Sequence, residues 1–449
     1  MAYECSNCGF TSVQWLGRCP KCGEWDAFEE EREVSEDGKG RILNDESPTP
    51  LSEIPLDSKE RIPTGIGEFD RVLGGGLIPG GIVLLGGDPG IGKSTLLLQT
   101  ATNLSQHGEV LYISGEESSK QIKMRAERLG LSSENLIIYS GGSLKKALHH
   151  LRELDPITVV VDSIQSLKSP DSSSSVGSTK QVRELGKEFT RLGKEKEVPV
   201  ILIGHITKSG DFSGPKTIEH LVDTTIYFEG KRDNKVRLLR PEKNRFGSTD
   251  PLGLFRMTED GLEEILNPSQ YFAKKDGGTD GKGTTTVCTL EGSRPILAEI
   301  QALVTPSNFG GSPQRRTTGL DYNRVSLLFA VIQKQLGINL QEFDIYLNVI
   351  GGFRVEETAG DLGVISAILS SLNEVEVPRR TVIIGEVGLS GELRPVKALS
   401  SRLNEAEKLG YNRALVPGSN PGLGHLDPNL DLHAAEDVSE ALNDLGLKE

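Results

Sequence analysis

Nine consecutive residues, Gly87-Asp88-Pro89-Gly90-Ile91-Gly92-Lys93-Ser94-Thr95, have the spacing of a phosphate-binding P-loop. The glycines allow backbone N–H groups to turn inward around phosphate oxygens, Lys93 supplies a cation at the β/γ-phosphates, and the Ser94 hydroxyl can hold Mg²⁺. The loop follows the apolar run Gly81-Ile82-Val83-Leu84-Leu85 and precedes Leu96-Leu97-Leu98-Gln99. It is therefore expected between a buried strand and a helix whose N-terminus faces the phosphate, and it points to a nucleoside triphosphate.

The 449 residues exceed one ordinary core and predict two or three domains. No apolar run is long enough for a transmembrane helix, and the first residues lack the layout of a secretory signal. Residues 1–60 carry 14 acidic and 6 basic side chains, so −8 of the net −14 lies there. A globally acidic enzyme can still present a basic channel, and net charge does not exclude a nucleic-acid partner. Four of five cysteines fall in the first 22 residues, unlike a secreted disulfide scaffold, which favours the cytoplasm. Cys288 stands alone and reads as core.

Cys5-Ser6-Asn7-Cys8 and Cys19-Pro20-Lys21-Cys22 form two Cys-x₂-Cys knuckles ten residues apart. Four thiolates fill the tetrahedral sphere of one zinc ion, so Cys5, Cys8, Cys19 and Cys22 predict a structural zinc finger over 1–28. Trp15 and Trp25 are expected to pack over it. The acidic stretch 29–59 reads as a flexible linker. Residues 60–273 alternate strand-like runs with helical stretches, the pattern of an α/β domain with a parallel sheet. A glycine-rich stretch, 274–283, precedes a third region, 284–449, whose segment 361–369 has the content of a buried helix.

Strand ends on the P-loop side should complete the site. Val159-Val160-Val161-Asp162 ends as a Walker B strand does, and Asp162 can bind the Mg²⁺ shell. Val110–Ile113 runs into Ser114-Gly115-Glu116-Glu117, where Glu116 is the first choice for polarising the attacking water and Glu117 the second. A third strand ends at His205, a candidate γ-phosphate sensor.

With these features the chain resembles the bacterial RadA/Sms proteins, RecA-type ATPases of DNA recombination and repair. Beyond the P-loop, the likeness rests on the four-cysteine finger, on Lys243-Asn244-Arg245-Phe246-Gly247, which matches the family's KNRFG motif, and on a C-terminal region similar to the Lon protease domain. It implies an α/β, RecA-like P-loop ATPase core with an N-terminal zinc finger and a C-terminal Lon protease-like α+β domain. It also implies ATP, Mg²⁺ and Zn²⁺ as cofactors, and single-stranded DNA, branched recombination intermediates and a RecA-type recombinase as partners, with no membrane. A homohexameric ring that promotes branch migration is the expected form. In such rings Lys243 and Arg245, two residues apart on a strand, would reach the phosphates bound by a neighbour, where a guanidinium is worth about 10³–10⁵ in rate. Their alternative use is to bind DNA phosphate. DNA-binding loops are expected at 169–179 and 208–216, with Lys208 and Lys216 as phosphate contacts, and Arg315 and Arg316 could extend that track. Lon-type peptidases pair a serine with a lysine. The matching positions are Ala359, in Glu357-Thr358-Ala359-Gly360-Asp361, and Ser400, so the resemblance implies a non-proteolytic scaffold. A KaiC-like ATP-driven switch acting on protein partners is the alternative reading.

Overall fold

A computed structural model describes residues 2–5, 11–12, 17–23, 28–31, 50, 52, 61–169, 175–205, 218–230, 235–273, 281–307, 313–426 and 429–448. The chain forms two compact units, Met1–Ser58 and Lys59–Glu449. In the first, β1 (Ala2–Cys5) pairs antiparallel with β2 (Thr11–Ser12) and β3 (Phe28–Glu31). This small sheet runs three residues past the expected end of the finger at 28. Most of the expected linker lies outside the described residues.

The second unit is built on two sheets. The first has nine strands: β4 (Ile82–Gly87), β5 (Val110–Ser114), β6 (Leu136–Ser140), β7 (Thr158–Asp162), β8 (Val200–His205), β9 (Thr224–Glu229), β10 (Val236–Asn244), β11 (Gly253–Thr258) and β12 (Gly261–Glu264). Their order is β12-β11-β10-β9-β4-β8-β7-β5-β6, parallel from β9 to β6 and antiparallel from β9 to β12. The parallel strands alternate cleanly between two buried faces. Val83, Leu85, Tyr112, Val160 and Ile201 join one core, and Ile82, Leu84, Leu111, Val159, Val161 and Leu202 the other. That is why they read as unbroken apolar runs. The helix Lys93–Leu104 covers the first face with Leu97 and Ala101, and Thr179–Lys196 covers the second with Val182, Leu185, Phe189 and Leu192 at helical spacing.

The second sheet, of seven strands, contains β13 (Thr284–Glu291), β14 (Arg294–Pro306), β15 (Arg315–Thr318), β16 (Phe343–Val349), β17 (Thr381–Ile383), β20 (Arg413–Pro417) and β21 (Asp431–Ala435), with a separate hairpin, β18 (Glu386–Val387) and β19 (Leu393–Arg394). The expected buried helix is Asp361–Leu372, enclosed from Asp361 to Ser370. Cys288 is fully buried, and burial pushes its thiol up to about 12. Among the described residues no helix is long and apolar enough to cross a membrane.

The two sheets share a core: Val236, Leu252, Leu254 and Ile265 of the first region pack with Ile296, Ala298 and Ile300 of the third. A carboxylate is enclosed at this seam. Glu68, fully buried near the start of the helix Gly67–Leu73, accepts from Arg294 Nη1 at 3.1 and 2.8 Å, from Leu254 N at 3.0 Å and from Arg71 Nε at 3.2 Å. Arg294 also donates to the Leu266 carbonyl at 2.7 Å. Four donated hydrogen bonds and a helix N-terminus offset the desolvation of the acid. Arg294→Met strands that charge and should lower stability by about 3–5 kcal/mol, while adding Glu68→Gln should recover part of the loss; urea unfolding midpoints read both.

Candidate nucleotide site

The P-loop leaves β4 at its C-terminal edge. Gly87, Gly90 and Gly92 have φ of 154°, 79° and 118°. A Cβ at Gly87 would lie 2.5 Å from the Phe228 carbonyl oxygen, whereas Gly90 has open space on that side. Asp88, Pro89 and Gly90 are exposed, and Lys93, the first helical residue, is only 4% exposed. Its ammonium donates to the carbonyls of Gly87 at 2.7 Å and Asp88 at 2.9 Å. Burial pulls its pKa down to about 8 against the opposing pull of Asp162, Asp88 and Glu116. Ser94 and Thr95 follow in the first helical turn, where a hydroxyl and the helix N-terminus meet an anion. Arg237 on β10, absent from the sequence reading, braces the loop from below: it is buried and donates from Nε to the Ile91 carbonyl at 3.1 Å.

The tips of β5 and β7 are stitched together. Ser114 pairs with Asp162, and Gly115 N donates to the Asp162 carbonyl at 3.1 Å. The Ser163 hydroxyl donates to Glu116 Oε1. A Cβ at Gly115 would meet Ser166 Oγ at 2.2 Å, so glycine permits this approach. Asp162 is 6% exposed and accepts from the Tyr112 hydroxyl at 2.6 Å. The two glutamates have different surroundings. Glu116 is exposed at the strand tip, while Glu117 forms an ion pair with Arg125. Asp162, Ser94 and Lys93 supply a donor set that suits Mg²⁺ and a triphosphate: hard oxygens beside one cation. His205 ends β8 opposite Gly87 in the ladder, on the same edge.

The cations of the KNRFG segment lie elsewhere. β10 runs antiparallel to β9, so Asn244 pairs with Thr224, which itself pairs with Val83 near the start of β4. The segment is thus four residues, or about 13 Å, down the sheet from Gly87, at the opposite edge. A bulge between Pro241 and Lys243 shifts the register, the ladder ends at Asn244, and Arg245 sits in a turn rather than on the strand as expected. Both cations nevertheless converge on one segment. Lys243 Nζ donates to the carbonyls of Glu219 at 2.7 Å and Val222 at 2.8 Å, and Arg245 Nη1 donates to Asp223 Oδ1 at 3.2 Å. The Arg245 side chain remains half exposed.

In the finger, Cys19 is buried and Gly23 N donates to its carbonyl at 2.9 Å across a turn that needs the φ of 79° at Gly23. This tight turn suits a knuckle that aims two thiolates at one ion. Cys5 lies on β1; Cys8, residues 170–174 of the first expected DNA loop and the whole of the second, with Lys208 and Lys216, fall outside the described residues. Arg315 is committed internally, donating to the Leu340 carbonyl at 2.6 Å and to that of Phe343 and lying 5.1 Å over the Phe329 ring, while Arg316 is exposed. At the peptidase-like position, Ala359 is 1% exposed, Thr358 donates to Glu386 at 2.7 Å, and Ser400 lies exposed on another helix. The fully buried Arg402 pairs with Glu357 beside them.

Comparison with known proteins matches an AAA domain to residues 50–211, a rubredoxin metal binding domain to 3–30, and subunit ChlI of Mg-chelatase to 323–420. DNA repair protein RadA of Halalkalibacterium halodurans is 43% identical over 446 residues, covering 98% of this chain and 97% of that protein. The chain belongs to the RadA family of DNA repair proteins. The RadA protein of Bacillus subtilis is 44% identical over 447 residues, again covering 98% and 97%. Among solved structures, the ATPase domain of G40P is 17% identical, spans 46% of this chain and 92% of its own, and has a TM-score of 0.39. The RadA family and the sheet order together fix the fold as a RecA-like P-loop ATPase core between a zinc ribbon and a Lon-like C-terminal region.

The depressed Lys93 pKa has a measurable sign. Near pH 8 part of the ammonium is deprotonated before nucleotide arrives, and the incoming phosphates favour its charged form. ATP binding should therefore take up protons between about pH 8 and 9, and affinity should fall as pH rises through that window. Calorimetry in buffers of different ionisation enthalpy reads the uptake, which Lys93→Ala should abolish.

Proposed function

We propose that the chain is a zinc-containing, Mg²⁺-dependent, DNA-stimulated ATPase of recombinational repair. It assembles as a hexameric ring in the cytoplasm, moves on single-stranded DNA and drives branch migration of recombination intermediates alongside a RecA-type recombinase. One observation carries the reading: Lys93, Asp162 and Glu116 gather at one edge of the sheet, while Lys243 and Arg245 occupy the opposite edge. Cations there cannot serve the P-loop of their own chain, and a ring lets each subunit offer them to its neighbour.

Lys93 exchanges the Gly87 and Asp88 carbonyls for phosphate oxygens, and the inward-turned amides of the loop hold the rest of the triphosphate. Ser94 and Asp162 would hold Mg²⁺, which would supply charge neutralisation of the phosphates when bound. Glu116, exposed at the strand tip and anchored by Ser163, orients the attacking water and takes its proton. Arg245 of the adjacent subunit neutralises charge in the transition state, with Lys243 keeping the Glu219–Val222 segment behind it in place. Lys208 and Lys216 track DNA phosphates. With alanine at position 359 the Lon-like region has no serine nucleophile there and acts as scaffold.

Strand displacement from a three-stranded D-loop by the zinc-loaded protein with ATP and Mg²⁺ tests the motor. Wild-type activity should vanish in Lys93→Ala; ATP turnover without displacement would favour the KaiC-like switch. Shared sites add a second expectation. Lys93→Ala and Arg245→Ala are each inactive alone, but mixed subunits should regain a fraction of the ATP turnover, because some interfaces pair an intact P-loop with an intact arginine.

A further inference from the structure

The side chain behind Asp162 belongs to no motif. Tyr112 is 1% exposed, in the middle of β5, and its hydroxyl donates to Asp162 Oδ2 at 2.6 Å. A phenol has one proton to give and lone pairs to accept. Arg125, on the helix Ser119–Arg128, is paired with Glu117, and its positive charge acts on the same phenol. A carboxylate oxygen accepts, so the phenolic proton is committed to Asp162.

We propose that Tyr112, Arg125 and Glu117 are positioning residues of the nucleotide site: a relay that holds one Asp162 oxygen so that the other is presented to the Mg²⁺ shell. The inference rests on the reading that Asp162 serves Mg²⁺ and Glu116 the water. It also gives the paired glutamates separate tasks. Glu117 anchors the arginine and is withdrawn from the role of base, whereas Glu116 is tied to Ser163, the residue after Asp162. Both carboxylates that touch the reaction are then oriented from behind by neutral hydroxyl donors, Tyr112 for Asp162 and Ser163 for Glu116. Such donors fix a carboxylate without neutralising it.

The test is steady-state ATP turnover by the full-length, zinc-loaded protein as Mg²⁺ is varied. Tyr112→Phe deletes one buried hydrogen bond at nearly constant volume and should raise the Mg²⁺ concentration for half-maximal turnover about three- to tenfold. Affinity for a fluorescent ATP analogue in EDTA, which reports the intact P-loop, should stay near wild type. Arg125→Ala should behave similarly, Arg125→Lys should restore part of the Mg²⁺ response, and the double variant Tyr112→Phe/Arg125→Ala should be no worse than the poorer single one. A lowered melting temperature with an unmoved Mg²⁺ half-saturation in both single variants would mean that the tyrosine and arginine are packing residues only, and the proposal fails. Fully additive losses overturn the relay. Asp162→Asn is the separate control: if its turnover keeps the wild-type Mg²⁺ dependence, the assignment of Asp162 itself fails, and the relay with it.

Discussion

Parallel strands must all end on the same edge of their sheet, and that constraint assembles the nucleotide site. β4 delivers the P-loop, β5 delivers Glu116, β7 delivers Asp162 and β8 ends at His205, each within two residues of the end of its strand. Residues separated by as many as 118 positions become neighbours without any long-range recognition beyond strand pairing. The same rule works in reverse where the chain turns antiparallel: β10 carries Lys243 away from the loop that its own subunit supplies. Polarity of the strands thus decides which charges lie at the P-loop edge and which lie at the far end of the sheet.

Much of this was legible because its signals are local. The glycine spacing of the P-loop, the apolar strand ending in Asp162 and the Glu-Glu tip are read within a few residues, and the strands occur where apolar runs predict them. What escaped depends on partners distant in sequence. Tyr112 shares its apolar face with Val110 and reads as core; its phenol acquires meaning only because β7 lies alongside. Arg237 lies 146 residues from the loop carbonyl it braces. A period of two puts Arg245 on the strand with Lys243, but β10 ends at Asn244 and Arg245 lies in the turn that follows. Arg315 looked like a surface cation, yet the Leu340 and Phe343 carbonyls claim it.

The Lon-like region illustrates how a site can be filled as well as emptied. Sequence comparison registers the loss of a serine and a lysine, both subtractive changes. The structure adds what stands beside them: Arg402, completely enclosed, bonded to Glu357 and to the Cys288 and Lys397 carbonyls, with Glu357 also accepting from Leu290 N at 2.7 Å. Buried ion pairs with every donor and acceptor engaged tend to fix a local arrangement more than they stabilise it. Here the arrangement locks β13, the turn before Asp361 and the helix Leu399–Lys408 into one block.

The seam around Glu68 reaches beyond stability to how such a chain can be taken apart. A fragment cut near residue 273 would bare Val236, Leu252 and Leu254 to water and leave the Glu68 carboxylate without Arg294, its partner from the second sheet. An inert ATPase fragment would then report a broken fold rather than a missing activity of the part removed. Within Lys59–Glu449 the two edges of the first sheet can be probed apart by point substitution, and not by a cut between the two sheets.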